Sequence, residues 1–165
     1  MPLVDALLPE FDREMSTTRK LLERVPDDRF DWKPHAKSFS LGELAGHVAN
    51  LPVWGEDALT KSELDIGNGQ RPAAPESKAV MLGHFDRNVA AVRSALDGKT
   101  DAELMAMWTL KRHGRTLFAM PKSTVLRSFV LSHVIHHRGQ LSVYLRLLDV
   151  PVPPIYGPSA DEPVF

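Results

Sequence analysis

Three histidines, His47, His133 and His137, have the residue type and the spacing for metal chemistry. His133 and His137 stand four apart in Ser132-His133-Val134-Ile135-His136-His137-Arg138-Gly139-Gln140-Leu141. On an α-helix that separation places them about 40° apart around the axis and about 6 Å along it. Both rings then point the same way, one turn apart, where two imidazoles can share one ion. His47 lies in Leu41-Gly42-Glu43-Leu44-Ala45-Gly46-His47-Val48 and on a helix shares a face with Leu44, Leu51, Trp54 and Ala58. A neutral imidazole in an apolar interior must find a hydrogen-bond partner or a metal. A transition metal held by three imidazole nitrogens satisfies all three rings and leaves a fourth position for water or substrate. The residues alone also allow a second reading. In it His47 is a core histidine bonded to a backbone carbonyl, and His133 and His137 sit near one end of the fold.

The same helical arithmetic adds Leu126, Val130, Gln140, Tyr144 and Leu148 to the stripe of His133 and His137. That stripe is expected to face inward, with Arg127, Arg138 and Arg146 towards water and His136 on the flank. Gln140 is a candidate to orient a ligand or a bound water, and Tyr144 is an aromatic with a polar tip beside it. His84 and Asn88 are candidates for a fourth ligand or for support, and Trp54 for the wall of a pocket. A metalloprotease helix is excluded, because Val134 occupies the Glu position of His-Glu-x-x-His. A ferritin-like di-iron site is disfavoured, because none of the three histidines has a Glu three residues before it.

The elements that must position these residues belong to a chain of 165 residues, a length that suits one domain spanning 1–165. Hydrophobic residues make up 43%, enough for a core without covalent staples. Lys and Arg number 20 against 21 Asp and Glu, so the basic footprint of a nucleic-acid or membrane-surface binder is missing. The absence of cysteine excludes disulfides, thiolate catalysis by the chain itself and Cys-type zinc sites. No basic-then-apolar leader and no apolar run of about 20 residues is visible, and the expected address is the cytoplasm.

Apolar periodicity predicts four long helices. The first runs from about Leu3 to Arg24 and ends at Pro26-Asp27-Asp28. Phe30 and Trp32, in the loop 25–39, are expected to pack over one end of the helices. Ser40 and Glu43 form a capping box for the second helix, which reaches about Lys61 with a kink or break at Pro52. Gly67, Gly69, Pro72 and Pro75 mark a loop. The third helix covers about Glu76 or Ser77 to Leu96, with Val80, His84, Ala91 and Ala95 inward, flanked by Phe85, Val92 and Leu96. A short helical turn at Asp101–Met105 and a small β-hairpin within 107–120 follow. Pro121 opens the fourth helix, which ends near Asp149 before a Pro-rich tail. These elements predict an all-α four-helix bundle with the hairpin before the last helix. The link between the second and third helices is long enough to cross the bundle.

Trp32-Lys33-Pro34, Ser40 to His47, His133 to Leu141 and the closing Val150 to Gly157 together resemble the DinB/YfiT-like superfamily of metalloenzymes. The resemblance runs through essentially the whole chain. It implies a four-helix bundle of unusual helix order, commonly a homodimer. It also implies a divalent metal, zinc or nickel, on three histidines, which carry over to His47, His133 and His137. Some members are thiol S-transferases that use low-molecular-weight thiols, and others are thiol-dependent isomerases. Two function classes follow: a metal-dependent enzyme, either a thiol transferase or a hydrolase, and a non-catalytic metal or small-molecule binder in a DNA-damage-inducible stress response.

Overall fold

The computed structural model describes residues 1–69 and 73–163, so Pro72 of the loop signal lies outside the described residues. The first apolar stripe forms α1 (Leu3–Leu22), which buries Leu7, Phe11, Met15, Thr18 and Leu22. At Ser40 the side chain accepts from the Glu43 amide, and the Glu43 carboxylate accepts from the Ser40 amide at 2.6 Å. This capping box starts α2 (Leu41–Asn50). Pro52, which has no amide hydrogen to continue the ladder, divides the expected second helix into α2 and α3 (Val53–Thr60).

The third long helix, α4 (Lys78–Leu96), is capped by Ser77. Its buried stripe is Met81, Phe85, Val92 and Leu96, so the flank of the expected face is the true interior and Val80 is exposed. After the short α5 (Asp101–Met105), the hairpin forms from β2 (Met107–Arg112) and β3 (Arg115–Pro121). His113 and Gly114 turn it with φ of 49° and 74°, the doubly left-handed geometry that matches strand twist. A third strand, β1 (Glu63–Asp65), pairs parallel with β2, giving the order β1-β2-β3. The Asp65 carboxylate accepts from the amides of Gly67, His113 and Gly114 and ties this strand to the turn.

Pro121 closes β3 and stands just before, not inside, the last helical run. That run is not uniform. A turn of α6 (Lys122–Val125) passes into a π-helical segment (Leu126–Leu131) and then into α7 (Ser132–Leu147).

The result is a mostly helical fold with a small three-stranded sheet. Both α4 and α7 pack against α1 and against α2, while α1 and α2 are not a closely packed pair. The links that cross the core are therefore those after α1 and after α4. The link between α3 and α4, though long enough to cross, joins neighbours. A second apolar cluster of Ala58, Trp108, Leu110 and Val125 seats the sheet on α3 and α6, with Phe129 of the π-helical segment packed against it.

One expectation is reversed. The core side of α7 is Val134, Arg138, Leu141 and Leu145, about 100° around the axis from the His133 stripe. Arg138 is 1% exposed instead of solvated. Its guanidinium donates to the Glu14 carboxylate at 2.7 Å, to the Glu14 carbonyl at 3.0 Å and to Thr18 Oγ1 at 3.1 Å. The Tyr156 hydroxyl donates to the same carboxylate, and its ring lies 5.1 Å from the guanidinium carbon. Arg127 and Arg146 do face outward, paired with Glu10 and Asp161.

Candidate metal centre

His47 comes from α2, and His133 and His137 come from successive turns of α7, a helix that packs against α2. The rotation that buries Arg138 puts the histidine stripe at the edge of the core. All three rings are consequently half-buried and reachable from a groove. Their ring centroids are 4.6 Å (His47–His137), 4.8 Å (His133–His137) and 5.2 Å (His47–His133) apart. One ring nitrogen from each lies within 4.8 Å of the others. The Nε2 atoms of His47 and His133 are 3.4 Å apart. Two nitrogens on a tetrahedral zinc, each about 2.0–2.1 Å from the metal, stand about 3.3 Å apart. Three nitrogen donors at this spacing suit a divalent transition metal.

Neighbours fix the rings. His137 Nδ1 meets Gln140 Oε1 at 2.7 Å, which leaves Nε2 as the ligand atom. Gln140 itself is exposed instead of inward, but it touches the ring that the stripe put beside it. Burial pushes the His133 imidazole below its ordinary pKa, helped by the neighbouring His137, while the Phe129 carbonyl pulls the other way as an acceptor. Phe129 lies in the π-helical segment, where the Ser132 amide reaches back to Arg127. Departures of this kind from the regular ladder are frequent at functional sites.

The other candidates fall outside the cluster. Asn88 donates to the Ala49 carbonyl at 3.1 Å, and His84 lines a separate cleft with Gly46, Pro75 and Met81. His136 is exposed, with its ring 4.7 Å from His137. The Tyr144 hydroxyl donates to the Phe39 carbonyl at 3.3 Å, and Trp32 meets the Tyr144 ring edge-on. Glu43 is the cap partner and is also close to Lys33. Among the described residues, no fourth His, Cys, Asp or Glu joins the three.

Comparison with known proteins shows the family and the fold. The model of the DinB family matches residues 1–163. The chain belongs to the DinB family. Among curated proteins it is similar to the uncharacterized protein YrdA of Bacillus subtilis strain 168, with 28% identity over 96% of this chain and 91% of YrdA. It is also similar to the uncharacterized protein YjoA of the same strain, at 22% over 85% and 87% of the two chains. Among solved structures, a DinB-like protein from Bacillus cereus ATCC 10987 has a TM-score of 0.72 at 22% identity, covering 94% of this chain and 98% of that one. The structure of YjoA gives 0.71 at 18%, covering 97% and 99%. At these identities the structures establish a shared DinB-like fold.

In this DinB-family chain two clefts meet the histidine cluster. One, of about 690 Å³, is lined by His137, Gln140, Tyr144, Phe39, Lys33 and Lys37. The other, of about 550 Å³, is lined by His47, Leu51, Trp54, Leu64, Ile66 and Arg112, with Asn50, Val53, Asp57 and Gly69. Trp54, whose face allowed either a core or a pocket-wall role, packs against the core and also lines this cleft. Leu64, Ile66 and Arg112 were not legible as site residues. A three-residue strand leaves no periodicity, and only the pairing of β1 with β2 brings them to the cleft.

Proposed function

We propose that His47, His133 and His137 hold a divalent transition metal, Zn²⁺ or Ni²⁺, and that the chain is a metal-dependent enzyme, a thiol S-transferase or a hydrolase. The observation that carries this reading is the convergence of three imidazole nitrogens within 4.8 Å with no fourth protein ligand among the described residues. A divalent cation at such a site supplies Lewis-acid chemistry, lowering the pKa of water or a thiol towards neutrality. The chain's own residues do the rest. Gln140 holds the proton of His137 on Nδ1, and the Phe129 carbonyl orients His133. The two clefts give room for two reactants beside one centre. Because the chain has no cysteine, a sulfur nucleophile must arrive as a small-molecule thiol. The reading places the protein in the cytoplasm, where such thiols are kept reduced.

The alternative, a non-catalytic metal or small-molecule binder in a stress response, calls for a site closed by a fourth side chain. His84 was the candidate for that role and lies elsewhere. As part of the same proposal the chain forms a homodimer. Exposed Val143 and Leu147, one turn apart on α7, give an apolar surface for a second copy. The test of function is a conjugation screen of low-molecular-weight thiols against electrophiles, with and without chelator. Turnover that chelation abolishes and zinc or nickel restores is the expected result. Turnover indifferent to chelation contradicts the mechanism.

A further inference from the structure

Among the described residues, the apolar cleft beside His47 contains one charged group, Arg112, that no carboxylate partners. Leu51, Val53, Trp54, Leu64 and Ile66 make its walls, and among the described residues Asp57 and Arg112 are its ionisable groups apart from His47. Asp57 is neutralised by Lys61, its partner one turn on. Arg112 spends its Nε on the Gly67 carbonyl at 3.3 Å, and among the described residues no carboxylate pairs with its guanidinium. The nearby Asp65 is committed to the amides of Gly67, His113 and Gly114. At Gly69 a Cβ would stand 3.5 Å from Arg112 Nη2, so the guanidinium lies against the loop at the cleft wall.

We infer that this cleft binds an amphiphilic small molecule, with an apolar body against Trp54 and Leu64 and a terminal oxyanion on Arg112. A planar fork of N–H donors matches carboxylate and phosphate oxygens in pairs, whereas an alcohol offers it one neutral acceptor and an ammonium is repelled. The inference deepens the proposed function, since it gives the reactant class of the His47 side. Its binding step does not need the metal.

The test uses the full chain, once treated with chelator and once loaded with zinc. Octanoate, octyl phosphate, octanol and octylammonium are the probes, followed by calorimetry and by the methyl resonances of Leu64 and Ile66. In chelated protein one or both anions should bind about fivefold or more tighter than octanol and shift those methyls. Which anion is preferred separates a carboxylate from a phosphate ligand. Arg112→Met should erase the preference and Arg112→Lys should keep part of it. Both substitutions are on an exposed hairpin residue, and unchanged far-ultraviolet dichroism checks folding. Anion and alcohol binding alike in chelated protein would overturn the inference, as would an anion preference that survives Arg112→Met. A preference that appears only with zinc and ignores Arg112 also overturns it, and leaves the metal reading standing.

Discussion

His137 takes its orientation from Gln140, a residue that sits in water and contributes nothing to the core. A ring whose Nδ1–H is held presents Nε2 as a fixed ligand, and losing such a partner typically weakens metal affinity 10–100-fold. Gln140→Ala should therefore lower zinc affinity by about 10–100-fold in a chelator competition, with the unfolding midpoint unchanged. An unaltered affinity would remove Gln140 from the site. At this scale much was legible, because side-chain type and the 3.6-residue period suffice to bring His133, His137 and Gln140 together. Arg138 was not legible. Its neighbours in sequence say only that it is 100° from His137, and which side of α7 faces the core depends on Glu14, a residue 124 positions away.

Caps and breakers made the elements readable. Ser40, Glu43 and Pro52 act where local chemistry places them. Ser40→Ala should cost about 1 kcal/mol in denaturant unfolding, the usual value of an N-cap. At the start of α5, Thr100 and Glu103 form another capping box, and it carries a pH signature. The Thr100 amide, with Lys99, holds the Glu103 carboxyl down to about 2 from 4.5. A carboxylate depressed in the folded state stabilises above its unfolded pKa, and that contribution disappears as pH falls from 4.5 towards 2. Glu103→Gln should flatten the acid limb of stability over that window, and a limb of unchanged slope would contradict the assignment. Backbone proximity was less readable. A Cβ at Gly46 would stand 2.6 Å from Pro75 Cδ, so the loop before α4 lies directly on α2. Gly46→Ala should destabilise by about 1–3 kcal/mol, whereas Gly139→Ala, an exposed mid-helix position where nothing is near, should stabilise by about 0.5–1 kcal/mol. The strand β1 and the π-helical segment escaped the sequence because both are set by partners: β2 for the strand, α3 and the sheet for the helix.

Across the whole molecule, one buried ion pair joins α1 to α7 and the tail. Arg138 and Glu14 are almost wholly out of water, and Thr18 and Tyr156 add hydrogen bonds to the pair. Removing one partner of such a pair costs about 3–5 kcal/mol, while an apolar replacement of both is often tolerated. Glu14→Ala should lower unfolding free energy by about that amount, and Glu14→Leu with Arg138→Met should recover most of it. This scaffold holds the core face of α7 inward and so turns His133 and His137 to the groove where His47 meets them. The account therefore rests on metal content. Untagged protein, supplied with zinc or nickel and then desalted, should retain about one equivalent by elemental analysis, and His137→Ala should lose it while staying folded. Equal metal in the two proteins, or none in either, would contradict the central claim.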